Sequence, residues 1–369
     1  MTYINIHVIQ SVPASCLNRD DTGSPKTLIF GNGGGLRSRL SSQAQKRAIK
    51  EKIRSGNGGR TALTKELPTL LAHAISDKPD AQTWDTVANA LGTGLNLYKG
   101  GAKDAKAAYE KAVADGSRWT LSALYYVNLD DIDALGAALR ENPVSFESGY
   151  EKDEANADVV YTIARIRSGV DPEIALYGRM VANDPSQNVD AAVQVAHAIG
   201  VSDAVPQFDF YSAKDDMRTE DNGAGMLGSI EFDAPTLYRY AVISTDDLTK
   251  NGIVGEVADR AIADFIRAFI TTLPGGRQNS FAAHTRPEYV QITVADAPVN
   301  LSQAFMEPSR GDIVSESIEK ITERRLEIES SYVPATANVV IAAEKYRGII
   351  GDADYATILD AADKVLEAI

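Results

Sequence analysis

The first 60 residues carry a concentration of cationic side chains. Only three of these residues, Asp20, Asp21 and Glu51, are acidic, and the net charge of the segment is +7. The whole chain has a net charge of −14, so residues 61–369 carry −21. Such a split of charge within one chain is typical of a region that binds a polyanion. The ten basic residues are Arg19, Lys26, Arg37, Arg39, Lys46, Arg47, Lys50, Lys52, Arg54 and Arg60.

The spacing within this group indicates a phosphate-binding surface. Lys46 and Lys50 lie four residues apart, next to Arg47, in a segment with helical periodicity, and residues four apart share one face of a helix. With the earlier basic residues they can form a groove that follows a nucleic-acid backbone. The alternative is a salt-bridged surface patch that docks on the acidic remainder of another copy. The net negative charge of the whole chain favours that alternative, because a net anion repels nucleic acid.

A glycine-rich stretch at residues 31–35 precedes Arg37 and Arg39. The residues Gly-Lys-Ser/Thr do not follow it, so it is not a Walker A loop. A clear strand does not lead into it either, as a dinucleotide fingerprint requires. It is predicted to be a flexible loop, the alternative being a direct phosphate cradle.

Catalytic or metal-binding patterns are weak in this sequence. The four histidines and Cys16 are not spaced like the ligands of a metal site or like a nucleophile and its base. Asp20 and Asp21 could hold a divalent metal for phosphodiester cleavage, but turn formation beside Arg19 is the simpler role. We therefore expect a protein that is not an enzyme and needs no cofactor. A metal-dependent ribonuclease using Asp20 or Asp21 is the alternative.

The composition excludes several other classes. With 44% hydrophobic and 24% charged residues, the chain is globular rather than disordered. Its apolar runs are too short to span a bilayer, and its first residues lack the pattern of a signal peptide. A single cysteine excludes an internal disulfide and fits a reducing compartment. These features predict a cytoplasmic protein without a membrane partner.

Hydrophobic periodicity predicts an α+β fold. Strands are expected at residues 3–10, 175–180, 191–199, 236–243 and 289–294, and helices at 42–54, 256–272, 315–331 and 353–368. Residues 61–169 have the pattern of a helical insertion. Residues 201–228 lose periodicity and form a long excursion that includes Phe208, Phe210, Tyr211, Met217 and Met226. These side chains can stack on bases or pack against a neighbouring subunit. Without the insertion and the excursion, the element order is compatible with a β-α-β-β-α-β unit.

Several sequence segments resemble one known family. The segments are INIHVI at 4–9, SCLNRDDTGSPKT at 15–27, SSQAQKRA at 41–48, ALYGRM at 175–180, VAHAI at 195–199, AKDD at 213–216, LYRYA at 237–241 and PGGRQNSFAAH at 274–284. They are similar to the CasC family of type I-E Cascade backbone subunits, within the Cas-seven superfamily of CRISPR proteins. The resemblance extends to about residue 306 and is weak beyond it.

The resemblance implies a hand-like protein and a set of partners. Residues 1–60 and 170–369 would form an RRM-like, ferredoxin-like palm with C-terminal elements, residues 61–169 helical fingers, and residues 203–229 a protruding thumb. Copies of the chain would stack along a CRISPR guide RNA as a helical filament, together with other Cascade subunits. The thumb would kink the guide so that its bases pair with target DNA.

The resemblance also implies the residues that contact RNA. Phe210, Tyr211 and Met226 would act in the thumb at the kink. The predicted contacts elsewhere are Arg19, Lys26, Arg37, Arg39, Ser42, Gln43, Lys46, Arg47, Lys50, Arg179, Met180 and Arg277. The family's dense basic run is replaced here by residues 31–35, which leaves Arg37 and Arg39 as the basic residues of that segment. The palm also lacks the aromatic signature of an RRM, so stacking on its sheet is not expected.

Overall fold

The computed structural model describes residues 1–57, 59–144, 146, 150–213, 217 and 226–369. Its contacts divide the chain into two compact units, which we call the sheet unit and the helical unit. The sheet unit comprises Met1–Asn57, Val193–Thr245 and Ile262–Ile369. The helical unit comprises Gly58–Ala192 and Asp246–Ala261.

Most of the strands belong to one mixed sheet. In chain order the strands are β1 Tyr3–Ser11, β2 Thr27–Phe30, β3 Gly35–Leu40, β4 Thr61–Thr64, β5 Tyr125–Asn128, β6 Val193–Val195, β7 Ala198–Gly200, β8 Gln207–Ala213, β9 Met226–Phe232, β10 Thr236–Ser244, β11 Tyr289–Ala295, β12 Ala335–Ala342 and β13 Asp354–Tyr355. The large sheet has the order β13-β12-β11-β1-β10-β7-β3-β2, and β6 also pairs with β10. Its pairs are antiparallel except β12–β13. The pairs β4–β5 and β8–β9 are separate two-stranded sheets.

The central strand β1, predicted at residues 3–10, is buried on both faces. Ile4, Ile6 and Val8 lie on one face, and Asn5 and His7 on the other are also buried. The polar side chains are tolerated because each has a partner: His7 Nδ1 lies 3.0 Å from the hydroxyl of Tyr238, and Tyr240 donates a hydrogen bond to Asn5. Burial lowers the pKa of His7 to about 3, so this histidine is a neutral core residue.

The helices cover faces of both units. They are α1 Ser42–Asn57, α2 Leu67–Ile75, α3 Ala81–Asn89, α4 Ala102–Ala114, α5 Leu129–Glu141, α6 Ala157–Ser168, α7 Pro172–Tyr177, α8 Thr245–Lys250, α9 Glu256–Thr271, α10 Gln278–Phe281, α11 Ile313–Ser331, α12 Arg347–Ile350 and α13 Ala361–Leu366. The predicted helices at 42–54, 256–272 and 315–331 correspond to α1, α9 and α11. No helix in the described part of the chain combines the length and apolar character needed to span a bilayer.

The strand predicted at residues 175–180 is wrong, because a capped helix begins just before it. Residues 175–180 were expected to be extended, but α7 occupies the first half of this segment. The carboxylate of Asp171 accepts hydrogen bonds from the backbone N–H groups of Glu173 and Ile174, and Pro172 takes the first helical position. These two signals start a helix that the apolar pattern alone does not reveal.

Two antiparallel ribbons form where irregular chain was predicted. Strands β2 and β3 pair on either side of the glycine-rich stretch at 31–35, and β8 and β9 pair in and just after the expected excursion at 201–228. The predicted strand at 191–199 is two short strands, β6 and β7, and the last predicted helix is reduced to α13. Residues 214–216 and 218–225 of the predicted thumb lie outside the described residues.

Candidate nucleic-acid interface

Helix α1 is fixed by its buried face. The hydroxyl of Ser41 accepts a hydrogen bond from the N–H of Ala44 and so caps the first turn. The amide of Gln45 donates to the carbonyls of Leu40 and Ala196, and its oxygen accepts from the buried guanidinium of Arg239. Because this face is anchored to the sheet, the other face of α1 is held in one orientation.

The other face of α1 presents the predicted phosphate ligands. Gln43 and Arg47 are exposed, and Ser42, Lys46 and Lys50 are partly exposed. Burial lowers the pKa of Lys46, because its ammonium has lost part of its hydration. A partly desolvated cation attracts a phosphate more strongly than one surrounded by water. The ion pair of Arg47 with Glu51, 2.8 Å long, is exposed and therefore weak.

The loop before β2 is tied to the start of α1. The side chain of Asn18 accepts a hydrogen bond from the N–H of Ser41, and its carbonyl accepts one from the N–H of Lys26. This places the exposed Arg19 and the partly exposed Lys26 next to the N-terminal end of the helix. Helix N-termini favour anions, which adds to the attraction of these cations for phosphate.

Asp20 shapes that loop. One of its carboxylate oxygens accepts hydrogen bonds from the hydroxyl and N–H of Thr22 and from the N–H of Ser24. These bonds, chiefly that of the Thr22 hydroxyl, lower the pKa of Asp20. Among the described residues, no group of three histidine, cysteine, aspartate or glutamate side chains is placed to hold a metal ion. The position of Asp20 thus fits turn formation, and Asp21 is exposed beside it.

Strand β3 brings one predicted arginine to this surface and buries another. Arg39 is partly exposed, and its guanidinium lies 3.3 Å from His197 Nδ1. Burial, Arg39 and Lys26, in that order, lower the pKa of His197, so these three side chains are close together. Arg37, predicted to contact phosphate, is instead 1% exposed. It donates to the carbonyl of Gly200 and lies near the carboxylate of Asp203, so its guanidinium has a structural role.

The glycine-rich loop is anchored. The N–H of Asn32 donates to the carbonyl of Met306, and the Asn32 side chain donates to the carboxylate of Glu307. At Gly31 a Cβ atom would lie 2.1 Å from the Met306 carbonyl oxygen, and the φ angle is +88°, so only glycine fits there. The described loop is therefore held in place rather than flexible, and the carboxylate of Glu307 is unfavourable for a phosphate cradle.

Arg277 reaches the same region from the segment after α9. Gly276 packs so closely on the loop before β2 that a Cβ atom would lie 2.4 Å from the carbonyl oxygen of Leu17. The charges of Arg277 and Arg19 both lower the pKa of the Cys16 thiol, against the larger effect of burial, which raises it. The two guanidinium groups therefore lie near one cysteine. We call the set Arg19, Lys26, Arg39, Lys46, Arg47, Lys50, His197 and Arg277 the basic surface.

The close approach at Gly276 gives a prediction with a matched control. Gly276→Ala is expected to displace the segment that carries Arg277 and to lower the free energy of unfolding by about 1–3 kcal/mol, as overpacking does. Gly275→Ala adds the same methyl group in open space and should change stability by less than about 0.5 kcal/mol. Urea unfolding of the two variants checks this. Equal midpoints would show that the contact at Gly276 is unimportant.

Arg179 and Met180 lie in the helical unit. Arg179 is 5% exposed and donates hydrogen bonds to the backbone carbonyls of Ile166, Arg167 and Gln187. Because its guanidinium is buried, the structure gives no support to the predicted contact of Arg179 with RNA. Met180, in contrast, is 79% exposed and is available to a ligand.

The β8–β9 hairpin, residues 207–213 and 226–232, is apolar and exposed. Phe208 and Phe210 alternate onto one face and are 73% and 69% exposed. On the other face, Tyr211 packs so closely on Gly228 that a Cβ atom at Gly228 would lie 2.4 Å from the phenol ring. Met226 is exposed. Exposed apolar side chains grouped in this way are typical of a surface that binds a partner.

Sequence reasoning identified most of the charged residues of the basic surface but missed those that position them. His197, Asn18, Gln45 and Arg239 belong to the arrangement, yet only their packing reveals it. In the sequence, His197 is one of four histidines that lack the spacing of a metal site. It lies between β6, which pairs with β10, and β7, which pairs with β10 and β3, and this pairing is what brings it beside Arg39.

Comparisons with known proteins place the chain in a family. A chain of a solved "CRISPR RNA-guided surveillance complex, pre-nicking" is 28% identical, with a TM-score of 0.81 and coverage of 100% of both chains. A second, from a "CRISPR RNA-guided surveillance complex", is 24% identical with a TM-score of 0.62 and 99% coverage of both chains, which shows a similar fold. No curated protein matches the chain. The family model described as CT1975-like protein matches residues 4–361, and the chain therefore belongs to the CT1975-like protein family.

Proposed function

We propose that the protein binds CRISPR guide RNA as a backbone subunit of a Cascade surveillance complex. The observation that carries the proposal is the basic surface, which draws cationic side chains from several segments of the sheet unit although the net charge of the chain is −14. The full-length similarity to a chain of a CRISPR RNA-guided surveillance complex supports this assignment over a salt-bridged patch. Phosphate contacts of this kind hold RNA without reading its sequence, as a guide-binding scaffold requires.

The finer parts of the proposal follow the sequence resemblance. The protein is a type I-E subunit of the CasC family, with residues 1–60 and 170–369 as an RRM-like palm, residues 61–169 as helical fingers and residues 203–229 as the thumb. Copies stack along the guide with other Cascade subunits and kink it, leaving bases free to pair with target DNA. The protein acts in the cytoplasm, as a scaffold rather than an enzyme and without a cofactor.

RNA binding and RNA cleavage are separated by one assay. The full chain is incubated with labelled guide RNA, with and without Mg²⁺, and both retention and cleavage are followed. The proposal expects salt-sensitive binding and intact RNA. Regular cuts that disappear in Asp20→Ala or Asp21→Ala would instead establish the ribonuclease alternative. Absence of RNA binding at low salt would favour a protein-only assembly module.

The exposed hairpin gives a prediction on assembly. Phe210→Ser should leave the affinity of one copy for a short RNA within about threefold, because it removes no charge. On a long RNA it should reduce cooperative assembly, since the hairpin then contacts the kinked guide or the next copy less well. Analytical ultracentrifugation of complexes on the long RNA measures this. The matched control is Leu359→Ser, which polarises another strongly exposed apolar residue of the sheet unit. Equal assembly by both variants would remove the hairpin from the mechanism.

A further inference from the structure

Four aromatic rings form a cluster in the helical unit. Trp84 and Tyr109 stack with centroids 5.3 Å apart and planes inclined by 19°. Trp119 is tilted against both, at 6.0 and 5.6 Å, and contacts Tyr98 at 6.3 Å. The indole N–H of Trp119 donates to the Tyr98 hydroxyl over 2.9 Å. Since the chain has only two tryptophans, both of them lie in this cluster.

A cavity of about 530 Å³ lies against these rings. This volume is typical of sites that bind a small organic group. Its wall includes Trp84, Tyr109 and Trp119, together with the polar side chains of His73, Ser117 and Arg118. Carboxylates are missing from the lining of this cavity in the part of the chain that the structure describes.

The wall combines three features that suit one class of ligand. Trp119 is 4% exposed and closes the wall, whereas Trp84 and Tyr109 are only partly buried and leave aromatic surface open to the cavity. Aromatic surface of this kind stacks on nucleobases whatever their sequence. The exposed guanidinium of Arg118 can donate to a phosphate. The Ser117 hydroxyl donates to the carbonyl of Ala112, and its oxygen can accept a hydrogen bond from a base.

We propose that this cavity binds a nucleotide of a single-stranded nucleic acid. The base packs on the aromatic surface that the stacked pair Trp84 and Tyr109 leaves open to the cavity, and Arg118 binds the adjoining phosphate. The ligand is a strand rather than a free nucleotide, because Arg118 is the one lining side chain with a permanent charge among the described residues. One such contact holds a mononucleotide weakly, whereas neighbouring phosphates of a strand add affinity. The site lies in the other unit from the basic surface and goes beyond the proposed function.

The tryptophans provide a direct test. The full chain is titrated with an oligothymidylate of about ten nucleotides, a length typical of single-stranded sites, and tryptophan fluorescence is followed. Saturable quenching is expected. Arg118→Ala should weaken the interaction about tenfold, as loss of a charged hydrogen bond does. The matched control is Lys103→Ala, which removes a positive charge from exposed surface of α4 outside the cavity and should leave the titration unchanged.

Two further titrations distinguish this proposal from its alternatives. Thymidine monophosphate at the same nucleotide concentration should quench far less than the oligonucleotide, and equal quenching would assign the cavity to a free nucleotide and overturn the proposal. The Lys46→Ala/Lys50→Ala variant, changed in the basic surface, should quench like the original protein. If it abolishes quenching while Arg118→Ala does not, the signal comes from the basic surface and this inference fails. Absence of quenching would also overturn it, without bearing on RNA binding elsewhere.

Discussion

Replacing both Lys46 and Lys50 with alanine is expected to weaken guide-RNA binding by about 30- to 100-fold near 0.1 M salt. The two side chains lie four residues apart on α1, whose buried face is anchored through Gln45, so they present their charges together. Each contact with a phosphate releases counterions. Losing two contacts should therefore reduce the slope of log affinity against log salt by roughly 1.4.

Fluorescence anisotropy with labelled RNA at several salt concentrations measures both quantities. The matched control is Lys52→Ala/Lys345→Ala, which removes the same charge from exposed positions outside the basic surface. Lys52 also lies on α1, but two residues beyond Lys50 it points to another side of the helix. A purely nonspecific attraction would make the two double variants equivalent. Unchanged affinity and salt slope in Lys46→Ala/Lys50→Ala would refute the assignment of α1 to the interface.

Arg239→Met is expected to lower the free energy of unfolding by about 3–5 kcal/mol, because it leaves several buried oxygens without their hydrogen-bond donor. Arg239 is 0% exposed, and burial lowers its pKa to about 9. Its guanidinium donates to the side-chain oxygens of Gln10 and Gln45 and to the carbonyls of Phe269 and Thr272. It thereby joins β1, α1 and the end of α9. Methionine fills part of the space but leaves four buried oxygens without this donor.

Urea unfolding followed by circular dichroism tests this prediction. Arg47→Met is the control, because it makes the same chemical change at a side chain that is 82% exposed. It should change stability by less than about 0.5 kcal/mol. Because Arg239 holds Gln45, its replacement should also loosen α1 and weaken RNA binding. Arg239→Met with the stability of the original protein would show that the network contributes little.

The regular elements with strong periodicity could be predicted from sequence. The apolar alternation of β10 and β11 and the one-sided pattern of α9 each correspond to a single long element. Short ribbons such as β2–β3 could not be predicted, because glycine-rich turns and isolated apolar residues are also typical of loops. The start of α7 depended on Asp171 and Pro172, a cap that outweighed the apolar pattern of the next residues.

The sequence identified the charged residues of the candidate site, but it did not show which of them are exposed. Arg37 and Arg39 are two residues apart on β3, yet the first is buried against Gly200 and Asp203 while the second reaches the basic surface. Arg179 is likewise buried by backbone carbonyls that come from α6 and from the segment before β6. Sequence specifies an arginine, but only the tertiary packing decides whether it holds the fold together or binds a ligand.

The central claim is that the basic surface of the sheet unit holds guide RNA, and photo-crosslinking tests it most directly. The chain is co-expressed with a CRISPR array and its partner subunits, sized, irradiated, and digested for mass spectrometry of RNA-linked peptides. We predict co-purified guide RNA with crosslinks concentrated in residues 15–54 and 274–286. Purification without RNA, or crosslinks that avoid both segments, would contradict the account.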